Sequence, residues 1–528
     1  MSELERLAVI DLGSNSFRLV VFSASGVGQE GGWWRRTDEI YQAVRLAEGM
    51  SASGRLEPEP CERALAALEV FAHFCSAAGL GAGEIDAVAT SAVREAANRD
   101  EFLERARRRS GLAIRVLSRE EEAHYGFLAA LNSTTLTDGY VLELGGGSVQ
   151  LVQVAGRRER AWGSWPLGAV SMTERFLPGS GPAKHRQIER LRAHVSEQLS
   201  AQPWIGAGAP RDAGCGDGEG DRPGRPRLVG MGGAIRNLAD AVQHLAGLPA
   251  SGVQGAVIGA EALAELVERL TAMSVSERAR LPGIKPARAD VILAGAVVVR
   301  SVLELTGAAR VEVTEAGLRE GVFFASHQPA EGGPLFDDVR RAGVLNLAAR
   351  YGADVAHTRH VAALALSMFD QLAALGLHPG EPVERELLWA ACMLHDIGVT
   401  VDYDDHHKHS RYLILNAGLP GFEPREVAIV AQAARYHRKD MPSLGPLRPL
   451  FGKGDRERLE RCSVLLRLAE DLERSRDQTV REASLSASNG HVVLRLEGER
   501  VTAVPRWAAS RERELFSRAF GRDLAVRG

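Results

Sequence analysis

Two short stretches carry the residues best suited to chemistry. Asp11 to Val20 reads DLGSNSFRLV and Glu143 to Val152 reads ELGGGSVQLV. A carboxylate, Leu, Gly, two turn residues, Ser, two variable positions, Leu and Val therefore recur in one order. In the second stretch three glycines, Gly145, Gly146 and Gly147, turn the chain before Ser148 opens a new apolar run. Apolar runs joined by such a turn predict a hairpin. Glycines also uncover backbone N–H groups, which lets a phosphate approach the main chain. In the first copy Ser14, Asn15 and Ser16 occupy the turn and offer hydroxyl and amide groups to the same kind of anion. Arg18 beside them is placed to ion-pair with it. Two such hairpins facing each other would clamp a phosphate and supply a carboxylate from each side, Asp11 and Glu143. A repeat at domain-sized separation predicts two similar lobes.

This arrangement resembles the actin, hexokinase and Hsp70 phosphotransferase superfold. More narrowly, it resembles the exopolyphosphatase and guanosine pentaphosphate phosphohydrolase family, whose first strand leads into Asp-Leu/Ile-Gly-Ser-Asn-Ser, as at Asp11 to Ser16. The resemblance extends along most of the chain. It implies Mg²⁺ held by Asp11 and Glu143 between the lobes. It also implies phosphate contacts from both turns and from Arg94, which follows the strand Ile85 to Ala89. The family's Ser-Gly-x-Glu-Glu-Ala is matched by Ser118 to Ala123, with Arg119 in place of the Gly. Its first Glu, here Glu121, is the expected general base toward water. Ser118 and Glu121 also have the spacing of a capping box, a wholly structural role for the same acid. The second hairpin departs from the family's Asp-Ile/Leu-Gly-Gly-Gly-Ser-x-Glu. Glu143 sets its carboxylate one methylene further out, and Gln150 replaces the closing Glu, which predicts a weaker hold on Mg²⁺.

The expected fold class is α/β, with two actin-like (ribonuclease H-like) lobes followed by an all-α HD-type domain and a small α+β cap. The expected boundaries are 1–130, 131–330, 336–480 and 481–528. The segment LVGMGGAIRNLA reads as strand, glycines and helix, a natural anion site at a helix N-terminus. Residues 206–226, rich in Gly, Pro and charge, read as a disordered surface insertion in which Cys215 is incidental. Further on, His357 falls in helical register with Val361, Leu364 and Met368. His395 and Asp396 are adjacent, and Asp471 is in register with Val464 and Leu468. His, His-Asp and Asp on successive helices resemble the HD phosphohydrolase superfamily. Imidazole with carboxylate suits a divalent metal, whereas an inward histidine also serves as a satisfied core residue. Both readings stand.

Composition narrows the partners. The net charge of −4 gives no global basic field, so a polyanion must be held by a local track, and DNA is not an expected partner. Charged residues interrupt the N-terminus where a signal peptide needs an apolar core. The longest apolar run, Val291 to Val299, is too short to span a bilayer. Five cysteines without a CxxC pair favour a reducing compartment. A cytoplasmic protein with no membrane partner is expected. The activity implied by the resemblance is release of orthophosphate from the ends of inorganic polyphosphate. Guanosine penta- or tetraphosphate is the alternative ligand, a binding-only polyphosphate or alarmone sensor is the rival of another class, and a homodimer is left open.

Overall fold

The computed structural model describes residues 4–27, 31–206, 225–249, 252–327, 333–488, 490–498 and 503–527. The expected insertion at 206–226, with Cys215, lies almost wholly outside the described residues. The chain forms two compact units, residues 1–339 and 340–528.

The first unit is built on two sheets of matching topology. Strands β1 (Glu5–Leu12), β2 (Phe17–Ser25), β3 (Trp33–Gln42), β4 (Ile85–Ala89) and β5 (Ile114–Val116) lie in the order β3-β2-β1-β4-β5. The first three are antiparallel, and β4 and β5 run parallel to β1. Strands β6 (Gly139–Leu144), β7 (Val149–Ala155), β8 (Arg158–Trp165), β9 (Arg227–Met231), β10 (Val257–Gly259) and β11 (Arg310–Val313) form the second sheet. There β8-β7-β6-β9-β11 repeats the first order and directions, with β10 added at the edge. The ten-residue repeat in the sequence is thus the visible part of a duplicated lobe.

Both central hairpins are apolar on two faces because helices cover each side. Helices α1 (Pro58–Ala77) and α2 (Arg99–Ser110) pack Leu65, Phe71 and Phe102 on Ile10 and Leu19 of the first sheet. Helix α3 (Arg119–Leu131), expected within the first lobe, instead packs Phe127, Leu128 and Leu131 on Val141, Val152 and Val229 of the second sheet. That sheet's other face is covered by α4 (Gly233–Leu245) and α5 (Ile292–Thr306). Helix α6 (Leu318–His327) then returns to the first sheet, laying Val322, Phe323 and Phe324 on Val9, Val20 and Phe22. Each lobe therefore lends the other a helix, which ties the two lobes into a single unit.

The second unit contains α7 (Val355–Ala374), α8 (Pro382–Leu394), α9 (His406–Ala417), α10 (Pro424–Arg435) and α11 (Asp455–Leu472). A three-stranded sheet of β12 (Glu482–Ser488), β13 (His491–Glu497) and β14 (Asp523–Arg527) follows. Val492, Leu494 and Leu496 of β13 join the same buried cluster as Val361, Leu388 and Leu465 of the helices, so sheet and helices share one core. Among the described residues no helix is long and apolar enough to cross a membrane.

Candidate active site

The turns of the β1–β2 and β6–β7 hairpins meet face to face. A Cβ added at Gly147 would lie 2.7 Å from the Ser14 hydroxyl and 2.8 Å from the Ser91 hydroxyl, so glycine is what allows this approach. Beside the contact lies a cleft lined by Ser14, Asn15, Ser16, Gly145, Gly146 and Ser148. Three carboxylates, Asp11, Glu122 and Glu143, and four arginines, Arg18, Arg236, Arg288 and Arg319, line it as well. Gly232 and Gly233 bring the N-terminus of α4 to the same wall, where its unpaired N–H groups favour an anion.

Burial dominates the electrostatics. Glu143 is pushed up to about 8 by burial and then by the neighbouring Glu122 and Asp11 carboxylates, against the pull of Arg319 and Arg236. Its Oε2 has no hydrogen-bond partner. Room for that oxygen comes from Gly126, where a Cβ would sit 2.7 Å away. Asp11 is raised by burial and restrained by Arg319, whose Nη1 lies 3.3 Å from Oδ2. Glu122 is raised by burial and opposed by Arg94. The arginines show the converse. Arg236 falls to about 10 through burial and the nearby Arg319 and Arg18, and it donates to the Glu315 carbonyl at 2.8 Å. Arg18 and Arg288 are lowered by burial too, and Arg319 Nε is buried without a partner. Like charges crowded in a low-dielectric cleft cost free energy that counter-ions relieve. The carboxylates call for a cation and the guanidiniums for a multiply charged anion.

A model of the Ppx/GppA phosphatase family matches residues 36–329, more than half of the chain, and a model of Ppx/GppA phosphatase, domain III, matches residues 339–503. The chain belongs to the Ppx/GppA phosphatase family. Like that family it is a phosphate-hydrolysing enzyme. Solved structures of similar fold include an exopolyphosphatase-like protein, 26% identical, with a TM-score of 0.51 over 61% of this chain and 97% of that one. An exopolyphosphatase from Cytophaga hutchinsonii is 21% identical with the same coverage and a TM-score of 0.51. The Aquifex aeolicus member of the Ppx/GppA family is 28% identical over 61% of this chain and 97% of that one, with a TM-score of 0.49.

Three of the residues expected in this Ppx/GppA site do not line the cleft. Glu121 does not line the cleft. Its Oε2 accepts from the Ser118 N–H at 2.8 Å, its Oε1 accepts from Arg115 at 2.8 Å, and its side chain is 44% exposed. The capping box thus holds Glu121, and the next residue, roughly 100° further round the helix, turns into the cleft. Glu122 is the buried acid there. Arg94 does not line the cleft; it donates to Glu122 at 2.7 Å and to the Leu117 carbonyl at 3.0 Å. Gln150, only 1% exposed, does not line the cleft either; its Nε2 donates to the Ser148 hydroxyl at 2.9 Å. Arg236, Arg288 and Arg319 were not singled out from the sequence. Two of them sit in stretches whose Gly-rich character is visible, GGAIRN and TEAGLREG. Arg288 follows Pro286 in a single 3₁₀ turn and carries no local signal.

In the second unit His357, His395 and Asp396 do come together, with His395 Nε2 3.6 Å and His357 Nε2 3.9 Å from the Asp396 carboxylate. Asp471 stands apart, its carboxyl pushed up to about 7 by burial and by Glu512. The neighbouring Glu470 takes its place, with Oε2 3.0 Å from His357 Nε2 and 3.3 Å from His395 Nε2. His406 and His437, at 3.2 and 3.7 Å from Asp396 Oδ1, complete a group the sequence left unrecognised.

Proposed function

We propose that the protein is an exopolyphosphatase that releases orthophosphate from the ends of inorganic polyphosphate. The supporting observation is the lining of the cleft. Four arginines and the N–H groups of two turns suit successive phosphates, whereas among the described residues the apolar lining is Leu144, Ala316 and Leu318, with no aromatic ring to stack a nucleobase.

Three carboxylates, Glu122 buried and Asp11 and Glu143 partly so, one with an unpaired oxygen, form an oxygen-only donor set that fits Mg²⁺. Asp11 and Glu143 would hold it, and when bound it supplies charge neutralisation at the phosphate oxygens. The chain's own groups do the rest. Arg18, Arg236, Arg288 and Arg319 bind the terminal phosphates and fix their orientation. The N–H groups of Gly146, Gly147 and Ser148 and of the α4 N-terminus donate to the transferring group as its charge rearranges. Glu122, oriented by Arg94, accepts a proton from the attacking water, whose oxygen bonds to the terminal phosphorus as the bridging P–O bond breaks in line.

The test is phosphate release by the purified full chain from long-chain polyphosphate and from guanosine pentaphosphate, over a range of Mg²⁺. A kcat/KM at least about tenfold higher for polyphosphate is expected, a preference of about 1.4 kcal/mol. The reverse preference makes the nucleotide the substrate. Binding of either ligand without release at any Mg²⁺ concentration makes the protein a sensor.

A further inference from the structure

The second unit holds a cluster that the phosphatase cleft does not use. Two groups of three donors share Asp396: His357, His395 and Asp396, and Asp396, His406 and His437. Within each, the potential ligand atoms lie within 4.8 Å of one another. Backbone contacts settle which ring nitrogens carry hydrogen. His395 Nδ1 lies 2.7 Å from the Cys392 carbonyl, His406 Nδ1 2.8 Å from the Tyr403 carbonyl, and His437 Nδ1 2.7 Å from the Ala434 carbonyl. A carbonyl oxygen only accepts, so each Nδ1 is the donor and each ring turns its Nε2 toward the cluster. The approach of Arg438 to His406 Nδ1, at 3.3 Å, is longer and does not displace that bond.

All three Nε2 atoms face the same small space. His406 Nε2 and His437 Nε2 are 3.1 Å apart. His395 Nε2 and His357 Nε2 both converge on Glu470 Oε2. Imidazole nitrogens and two carboxylates thus converge on one space at the spacing of metal ligands. His357 is 2% exposed; its Nε2 faces Glu470 Oε2 at 3.0 Å, and its Nδ1 has no hydrogen-bond partner.

We propose that this cluster is a divalent transition-metal centre for two ions. One is held by His357, His395, Asp396 and Glu470, the other by Asp396, His406 and His437, with the Asp396 carboxylate shared. Imidazole-rich sets favour zinc, iron, nickel or copper over Mg²⁺, which prefers oxygen ligands. The backbone carbonyls act as the outer partners that fix each ring and raise its basicity. Arg476, 46% exposed, donates to Asp396 Oδ2 at 2.6 Å, so this surface side chain must turn away for that oxygen to bind a metal. The centre stands independently of the reading of the cleft.

The test uses the full chain purified without chelator. Elemental analysis is expected to find about two transition-metal equivalents per chain, falling to about one in His437→Gln and toward none in Asp396→Asn. Because the Asp396 variant tests a buried position, the wild type is also stripped and titrated with Co²⁺. Visible d–d absorption saturating near two equivalents, with a rise in Tm, is expected. Wild-type protein that is folded by circular dichroism yet binds no Co²⁺ at micromolar concentration overturns the centre. So does Co²⁺ binding that is unchanged in folded His437→Gln.

Discussion

The hairpins β1–β2 and β6–β7 share a backbone and a register but not a chemistry. Asp11 stands opposite Arg18 in one, and Glu143 stands opposite Gln150 in the other. In the first, charge is matched within the protein: Arg319 sits 3.3 Å from Asp11, and Glu39 sits 2.7 Å from Arg18. In the second, the Gln150 amide turns away to Ser148, and Glu143 keeps a buried oxygen with no partner. A duplicated frame has divided its labour. The first copy contributes a guanidinium for an anion, and the second leaves a carboxylate in want of a cation. The residue across from each acid decides which.

That division can be broken from either side. The largest effect is expected at Glu143. Glu143→Gln should raise the Mg²⁺ concentration for half-maximal phosphate release at least about tenfold, because Mg²⁺ relies on very few protein carboxylates. Asp11→Asn, whose carboxylate is already shared with Arg319, should shift that concentration less. A larger shift at Asp11, measured in the same titration, would reverse the assignment. Next comes Arg18→Gln, which makes the first hairpin resemble the second. Loss of one charge-assisted hydrogen bond, about 1.5–3 kcal/mol, should raise KM for polyphosphate about tenfold or more with kcat little changed. An unchanged KM would leave Arg18 to its Glu39 partner. Smaller again is Gln150→Glu. The new carboxylate cannot donate to Ser148 and sits buried beside Glu143, so a stability loss of about 1–3 kcal/mol is expected, read as a lower Tm that Mg²⁺ partly restores. The sequence alone pointed to a gain in Mg²⁺ affinity without a stability cost; burial of residue 150 is what changes the forecast.

What the sequence showed and what it hid follow from how local each signal is. Both hairpins are legible because carboxylate, turn and apolar run are contiguous. Strand β3 was not anticipated: WWRRTDEIYQ is exposed along most of its length, so an edge strand leaves no alternation to read. The exchange of α3 and α6 between sheets is a tertiary choice with no local trace. Neighbouring acids were the commonest confusion. Glu121 and Glu122 differ by one step round a helix, as do Glu470 and Asp471, and that step moves a side chain off a face. For the first pair the clue was present, since the Ser118 capping box engages Glu121 and leaves Glu122 to turn inward. No such clue marks Arg288, or the pairing of His406 with His437 across two helices.

The central claim is that Glu122, not Glu121, works on the water in the cleft. It is tested most directly by steady-state phosphate release from long-chain polyphosphate at saturating Mg²⁺ with Glu122→Gln and Glu121→Gln side by side. For Glu122→Gln, kcat should fall at least about a hundredfold, the usual scale for loss of a general base, with KM and Tm close to wild type. Glu121→Gln should keep its turnover and lose only the roughly 0.3–1.5 kcal/mol of a helix cap. A Glu122→Gln enzyme with wild-type kcat, beside a folded Glu121→Gln enzyme that has lost it, would contradict the account.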